Sequence, residues 1–341
     1  MYEIGKAKMK RISTYAGGRS DYVQGGGGNT SVKLDESLMA IKASGYTLAE
    51  ITNEMGYVTV YYPSIKGYYN TVDRDIEKDY EKESLSVNLA SVKLLTGMED
   101  KRPSVEVGFH SFLQKYVIHT HSVYANLLCC AQEGRDIARD IFADSGIAYL
   151  FIPYIDPGFR LTLAVKDAVA IYRERNGVIP DVIFLENHGL IVSHDDADQA
   201  ILIHEDVNNR IKKHFGLETY PEPKSIPKED HFRSGTAYLK NFITEYNAGI
   251  EYFRSLKLYP DQLVYIGPKL DGVINIDTTT GAVTYFTTEK EARTIEETLL
   301  AVVYIVQQIK KAALKLQQMG ERDADFINNW ESEKYRSKLV R

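Results

Sequence analysis

The sequence predicts an α/β protein carrying a C-terminal α+β extension, and two observations carry that expectation. Strand and helix patterns alternate from residue 1 to about residue 216, which is the habit of the α/β class. Three prolines then fall together in Tyr220-Pro221-Glu222-Pro223-Lys224-Ser225-Ile226-Pro227. Proline lacks a backbone N–H and clashes with the preceding helical turn, so no helix continues through this stretch. The reading is a first domain over residues 1–218 and an extension over residues 219–341. A chain of 341 residues is long enough for both.

In chain order, the four glycines Gly25–Gly28 form a loop, followed by short strands at Ser31–Leu34 and Met39–Lys42. Over Ser84–Leu95, the spacing of Leu85, Leu89 and Val92 predicts a helix face. Tyr116–His121 reads as a strand leading into a helix over Val123–Cys130. The apolar Val182–Leu185 is a further strand, and Leu190–Val192 resumes the extended pattern after Gly189. Asp195 is expected to cap a helix running to His214, with Lys212 and Lys213 in its last turn as the helix dipole favours. The extension should contain a helix near Gly235–Leu256 and then the apolar run Leu263–Ile266. A hairpin of Val273–Ile276 and Ala282–Phe286 should turn at Asp277–Gly281. A long last helix carries Ile295, Leu299, Val302, Val306, Ile309, Ala313 and Leu316. That spacing suits a coiled-coil seam or packing against the extension's own sheet, and the second is the preferred reading.

Lys and Arg number 41 against 47 Asp and Glu, a net charge of −6. A slightly acidic chain with no basic tract is a poor nucleic-acid binder. No apolar run reaches the ~20 residues of a membrane span, and Met1-Tyr2-Glu3-Ile4 does not read as a signal peptide. The only cysteines, Cys129 and Cys130, are adjacent in an apolar stretch. Neighbouring cysteines rarely bridge, so a reduced buried pair in a cytoplasmic protein is expected.

The chemistry-bearing residues are sparse. His119-Thr120-His121 ends a strand, and side chains two apart on a strand share a face, so both imidazoles can reach one point. Two histidines so spaced can also be ordinary core or surface residues. Glu186-Asn187-His188-Gly189 sets three polar side chains between Leu185 and Leu190, which is costly unless they find partners. A third imidazole from His188 would complete a three-histidine site with an open coordination position, as in catalytic zinc centres. His194, His204, His214 and His231 read as solvated or locally hydrogen-bonded, and His110 as a packed core residue. Glu106, near the start of a helix, can be a catalytic acid/base or simply an acid favoured by the helix dipole. The glycine loop lacks the Walker A lysine and the GxGxxG context. Its backbone N–H groups, with Asn29 and Ser31 and the turn at Ser44-Gly45, can nevertheless approach an anion. Each could equally be a tight turn.

Taken in order, Gly28-Asn29-Thr30-Ser31, Ser44-Gly45, Pro103-Ser104-Val105-Glu106, His119-Thr120-His121 and Asn187-His188-Gly189 resemble the class II aldolase/adducin family over roughly residues 10–216. With Gly25–Gly28 and Asp156–Phe159, the chain looks closer to the aldolase half of bifunctional rhamnulose-phosphate aldolase/dehydrogenase proteins. The resemblance implies a three-layer α/β/α sandwich with a central, mostly antiparallel sheet, assembled as a homotetramer. It implies zinc, one ion per chain with Mn2+ or Co2+ as substitutes, on His119, His121 and His188. Glu106 would be the catalytic acid/base that also touches the metal. Substrate contacts would fall on Gly28, Asn29, Ser44, Gly45 and Ser104. The implied activity is retro-aldol cleavage of a ketose phosphate through a metal-stabilised enediolate. Sugar-phosphate 4-epimerase, dehydratase or decarboxylase chemistry on the same site, or an adducin-like scaffold, are the alternatives. Val105 stands where the sugar-phosphate aldolases usually carry a second serine, which weakens the case for a dihydroxyacetone-phosphate product. Tyr154 is a candidate for the family's proton-donating tyrosine.

Overall fold

The computed structural model describes residues 2–93 and 101–330. Seven strands form the main sheet: β1 Asn29–Lys33, β2 Leu38–Lys42, β3 Tyr57–Tyr61, β4 Tyr116–Thr120, β5 Tyr149–Ile152, β6 Val182–Leu185 and β7 Gly189–His194. Their spatial order is β3-β2-β1-β4-β7-β6-β5, antiparallel throughout except where β5 runs parallel to β6. The helices of this part are α1 Tyr2–Gly17, α2 Tyr62–Thr71, α3 Tyr80–Ala90, α4 Val107–Phe112, α5 Val123–Cys129, α6 Gly134–Phe142, α7 Phe159–Asn176 and α8 Ala197–His214.

Alternation along the strands sorts side chains between two helical layers. On β6, Val182 and Phe184 pack with α5 and α8 residues such as Leu127 and Val207. Ile183 and Leu185 pack on the other side with Phe109 of α4 and Leu161 and Val165 of α7. The other half of the sheet repeats this, with Val32 and Ile118 against Met9 and Ile12 of α1, and Met39 and Val58 against Ile65 of α2. The result is the α/β/α sandwich with a mostly antiparallel sheet.

The extension has its own small sheet, β8 Ser225–Pro227, β9 Phe232–Ser234, β10 Ile274–Asp277 and β11 Ala282–Tyr285, in the order β10-β11-β9-β8. The hairpin of β10 and β11 turns over Asp277–Gly281, where the sequence places it. Its helices are α9 Ala237–Tyr246, α10 Ile250–Ser255, α11 Pro260–Tyr265, α12 Glu289–Lys311 and α13 Glu321–Asn329. Leu239, Phe242, Leu299 and Val302 share one hydrophobic core with Val123 and Leu127 of α5. No helix among the described residues is long and apolar enough to cross a membrane. Cys129 and Cys130 are free and buried.

Several local expectations are corrected. The single helix expected near Gly235–Leu256 is broken into α9 and α10, because Asn247 adopts a left-handed conformation (φ +48°) that ends the first. The capping residue of α8 is Asp196 rather than Asp195. Its carboxylate accepts the N–H groups of Asp198 and Gln199, each at 2.9 Å, while Asp195 accepts from the Lys115 N–H. Helix α12 stops at Lys311, so Ala313 (φ +56°) and Leu316 lie beyond it. It packs chiefly on α5, α11 and α9, with β8 and β9 at its flank. The reason is that Leu300, Ala301, Val303 and Ile305 are buried along with the predicted seam. A helix apolar all round belongs between two layers rather than on one sheet.

The face predicted on Leu85, Leu89 and Val92 is also not the buried one. Helix α3 ends at Ala90, buries Ser84 and Asn88, and leaves Leu89 exposed. Its last predicted residues, 94 and 95, lie outside the described residues. The inward stripe follows Glu81, which is three residues before Ser84 and seven before Asn88. Both Glu81 carboxylate oxygens accept the Phe159 N–H at 3.1 Å, at the start of α7. Burial pushes the Glu81 carboxyl up to about 7, against the backbone N–H groups of Phe159 and Arg160 that favour its charge. A folded-state value above the ordinary 4.5 means that the folded chain holds this proton more tightly than the unfolded one. The corresponding stability is complete below pH ~4.5 and is lost as pH rises through about 7. Glu81→Gln should therefore gain on wild type by up to about 3 kcal/mol between pH 5 and pH 8. Melting temperatures of both proteins at the two pH values measure this, and a pH-independent difference would refute it.

Candidate metal centre and active site

Strand β4 and the residue just past its end deliver the first pair of imidazoles. His119 and His121 point to the same face of the sheet, and their Nε2 atoms lie 3.2 Å apart. The turn between β6 and β7 brings His188 to them, with its ring centroid 5.0 Å from that of His119 and 5.2 Å from that of His121. One ligand nitrogen from each of the three lies within 4.8 Å of the others, and all three residues are buried. The turn is specialised, since Asn187 holds a left-handed φ of +48°.

The tautomers are decided by what the other ring nitrogens meet. His119 Nδ1 donates to the Leu190 carbonyl at 3.0 Å, and His121 Nδ1 donates to the Asp261 carboxylate. Both Nε2 atoms therefore carry lone pairs and face each other. Two acceptors cannot hydrogen-bond to one another, and the buried Nδ1 of His188 has no partner either. Burial drives the His119 pKa well below its ordinary value, against the pull of Glu106, so its imidazole is neutral. Converging, buried imidazole nitrogens are donors that a borderline divalent ion takes, so the residues fit a metal.

Glu106 is the N-terminal cap residue of α4, but its side chain does not cap the helix. Its carboxylate instead turns to the histidines, with Oε1 3.2 Å from His188 Nε2 and Oε2 3.5 Å from His119 Nε2. Burial would raise this carboxyl. The contact of Oε1 with His188 Nε2 works against burial and favours the charged carboxylate. Asn29 donates to Glu106 and, at 3.1 Å, to Ser104 Oγ. The Asn29 carbonyl accepts from His110 Nε2, whose Nδ1 in turn meets Ser31 Oγ at 2.7 Å. Burial lowers the His110 pKa to about 3, so the chain Ser31–His110–Asn29–Glu106 is neutral up to the carboxylate. Asn29 is thus placed first as the group that holds Glu106.

A pocket opens beside these groups. Gly28, Asn29, Ser44, Ser104, Glu106, His121 and His188 line it, together with Val105, Lys42, Pro157 and Pro260. Gly28 holds a φ of +65°, and a Cβ there would meet the His119 carbonyl oxygen at 2.7 Å, so only glycine lets the loop lie this close to β4. Ser44 and Ser104 meet through the bridge Ala43–Pro103, with Ser44 Oγ donating to the Pro103 carbonyl at 3.0 Å. Gly45 is not brought to this pocket and lines a separate groove with Gly25 and Gly26. Tyr154 does not line the pocket, and its ring packs against the cluster of Leu263, Val264 and Tyr265.

Two residues of the site escaped the sequence reading, Lys42 and Asp261, and a third, His110, is buried as expected but also supports Asn29. His110 sits four residues after Glu106, on the same helical face, and that spacing could have paired them. Lys42 is only 4% exposed and donates to the Gly26 carbonyl at 2.9 Å. A lysine ending an apolar strand two residues before Ser44 was the available signal. Asp261 lies 140 residues beyond His121 in sequence, and nothing local marks it.

Residues 13–213, more than half of the chain, match the family model for the Class II Aldolase and Adducin N-terminal domain. An uncharacterized oxidoreductase of Bacillus subtilis (strain 168), YuxG, is 29% identical over 224 residues, which are 60% of this chain and 30% of that protein. The chain thus spans under a third of this relative's length. The N-terminal class II aldolase domain of a conserved protein from Thermoplasma acidophilum has a similar structure, with a TM-score of 0.50 at 24% identity. The likeness covers 61% of this chain and 92% of that one, and at this identity it speaks for the fold. The family match runs through the sheet and takes in all three converging histidines, and by it the chain belongs to the class II aldolase and adducin family.

Proposed function

We propose that this protein is a zinc-dependent aldolase, a carbon–carbon lyase that cleaves a phosphorylated ketose. The observation that carries the reading is the set of three buried imidazoles, one nitrogen of each within 4.8 Å of the others, and the Glu106 carboxylate against two of them. His119, His121 and His188 would hold the ion, with Mn2+ or Co2+ as substitutes for zinc. Bound there, it supplies Lewis acidity toward a carbonyl and its neighbouring hydroxyl oxygen.

The chain's own residues do the rest. Retro-aldol cleavage breaks the C3–C4 bond, the C4 hydroxyl gives up its proton as the aldehyde forms, and the electron pair left at C3 takes up a proton. Glu106 is the group that carries the proton at C3, and Asn29 keeps its carboxylate turned inward. Lys42, with Ser44, Ser104 and the backbone at Gly28, takes the anionic end of the substrate. Val105 offers no hydroxyl, and the ammonium of Lys42 supplies charge on the same wall. Pro157 and Pro260 shield the reacting end from water. A homotetramer is part of the same reading.

Metal-loaded protein incubated with ketose 1-phosphates and pentulose 5-phosphates, with products identified by NMR, tests the proposal. An aldehyde and a triose phosphate from a ketose 1-phosphate, or dihydroxyacetone and glycolaldehyde phosphate from a pentulose 5-phosphate, are the expected products. An inverted C4 centre or loss of water would replace cleavage by epimerisation or dehydration, and carbon dioxide released from a keto-acid phosphate run in parallel would replace it by decarboxylation. On a phosphorylated substrate, Lys42→Met should raise KM about 10–150-fold, as expected for losing a charged hydrogen bond worth roughly 1.5–3 kcal/mol. An unchanged KM would remove Lys42 from the anion site.

A further inference from the structure

We infer that the extension is a working part of the metal centre, through Asp261, which acts as a positioning carboxylate for His121. The inference rests on the metal reading above. Its observations are separate ones, and they concern how two of the three imidazoles are held.

Asp261 lies in the first turn of α11, is fully buried, and accepts the Nδ1–H of His121. That contact leaves Nε2 of His121 as the free nitrogen, facing Nε2 of His119. His119 gets the same tautomer from the carbonyl of Leu190, a neighbour within the sheet. His121, one residue past the end of β4, has no such strand neighbour, and the extension supplies the missing acceptor. A carboxylate behind a ligating histidine fixes both ring orientation and tautomer. A buried carboxylate is also costly unless paired, so its place against an imidazole is not incidental packing.

The glycine loop is shaped to admit it. A Cβ on Gly27 would lie 2.2 Å from Asp261 Oδ2 and 3.0 Å from His121 Nδ1, so any other residue would push into this pair. The extension holds the third ligand's turn as well. Asn187, directly before His188, donates to the carbonyls of Leu258 at 2.8 Å and Gln317 at 2.9 Å. Gln317 also reaches Glu186 at 3.3 Å. Beside Asp261, Pro260 forms part of the pocket wall. The extension therefore sets the ring of His121, the turn of His188 and one side of the pocket.

The test uses the full chain with Asp261→Asn and Asp261→Ala. Zinc affinity, read by competition with a chromophoric chelator, should fall about 10–100-fold in Asp261→Ala, the usual loss for such a supporting partner. Asp261→Asn, whose amide oxygen can still accept from Nδ1–H, should lie between Asp261→Ala and wild type. Nitrogen-15 NMR of metal-free wild type should show His121 in the Nδ1–H tautomer, and Asp261→Ala should lose that preference. A folded Asp261→Ala protein with wild-type zinc affinity would overturn the inference. So would a wild-type His121 that is not in the Nδ1–H tautomer, a measurement that stands even where a variant does not fold. If wild type itself takes up no zinc, the metal reading fails, and the tautomer of metal-free His121 still decides the role of Asp261.

Discussion

Glu106→Gln should lower kcat by about 10²–10⁴-fold, the usual contribution of a positioned general acid–base, with metal content and melting temperature close to wild type. The substitution keeps the shape of the side chain and removes the proton acceptor. Metal should be retained because three imidazoles remain, two of them held by partners other than Glu106. Folding should be retained because the side chain caps no helix and spans no core layer. The hydrogen bond from Asn29 survives if the glutamine oxygen takes its place, so the orientation of the group is preserved while its basicity is gone. Product-resolved kinetics at saturating substrate, with metal analysis of the same sample, measure this. A near-normal kcat with full metal would return Glu106 to being an acid at a helix start and leave the proton transfer unassigned.

The second large effect concerns the metal. Wild type should carry about one zinc per chain, the stoichiometry of a single three-histidine site. His119→Ala and His188→Ala should each reduce this to near zero and abolish turnover. Neither should unfold the protein, because the ligands sit at the edge of a core that α5, α8, α12 and the sheet build without them. His188→Ala is the cleaner variant, since His119 is wedged against Phe109 with ring centroids 5.8 Å apart. Elemental analysis after dialysis, alongside circular dichroism, gives the answer. Full zinc in both variants would sink the metal assignment.

The site was legible where its residues are joined by short-range geometry. The pair His119 and His121 follows from the two-residue period of a strand, and β4 with the residue just past its end brings both rings together. The cost of burying polar groups at Glu186–His188 pointed to partners, and the structure supplies them for Glu186 and Asn187 from Leu258 and Gln317, while Nδ1 of His188 is left without one. Glu106 was ambiguous, because the first turn of a helix suits an acid with or without chemistry, and only the direction of its carboxylate separates the two. Lys42 was missed because a lysine at a strand end normally reaches solvent, and only the sheet and the loop at Gly26 enclose this one. The inward stripe of α3 was misjudged for a similar reason. Its apolar spacing was real, but the Phe159 N–H drew Glu81 inward and turned Leu89 out.

By itself, the sequence determined the strands β1, β2, β4, β6 and β7, the helices α5 and α8, the hairpin at Asp277–Gly281 and which imidazoles could meet. Those properties depend on neighbours a few residues apart, through backbone geometry and the periods of helix and strand. Only the tertiary structure decided that α12 is buried between two layers, that Gly45 lines a separate groove, and that Asp261 reaches His121. Contacts across 140 residues leave no trace in local spacing, because what brings the groups together is a shared hydrophobic core closing over both parts of the chain.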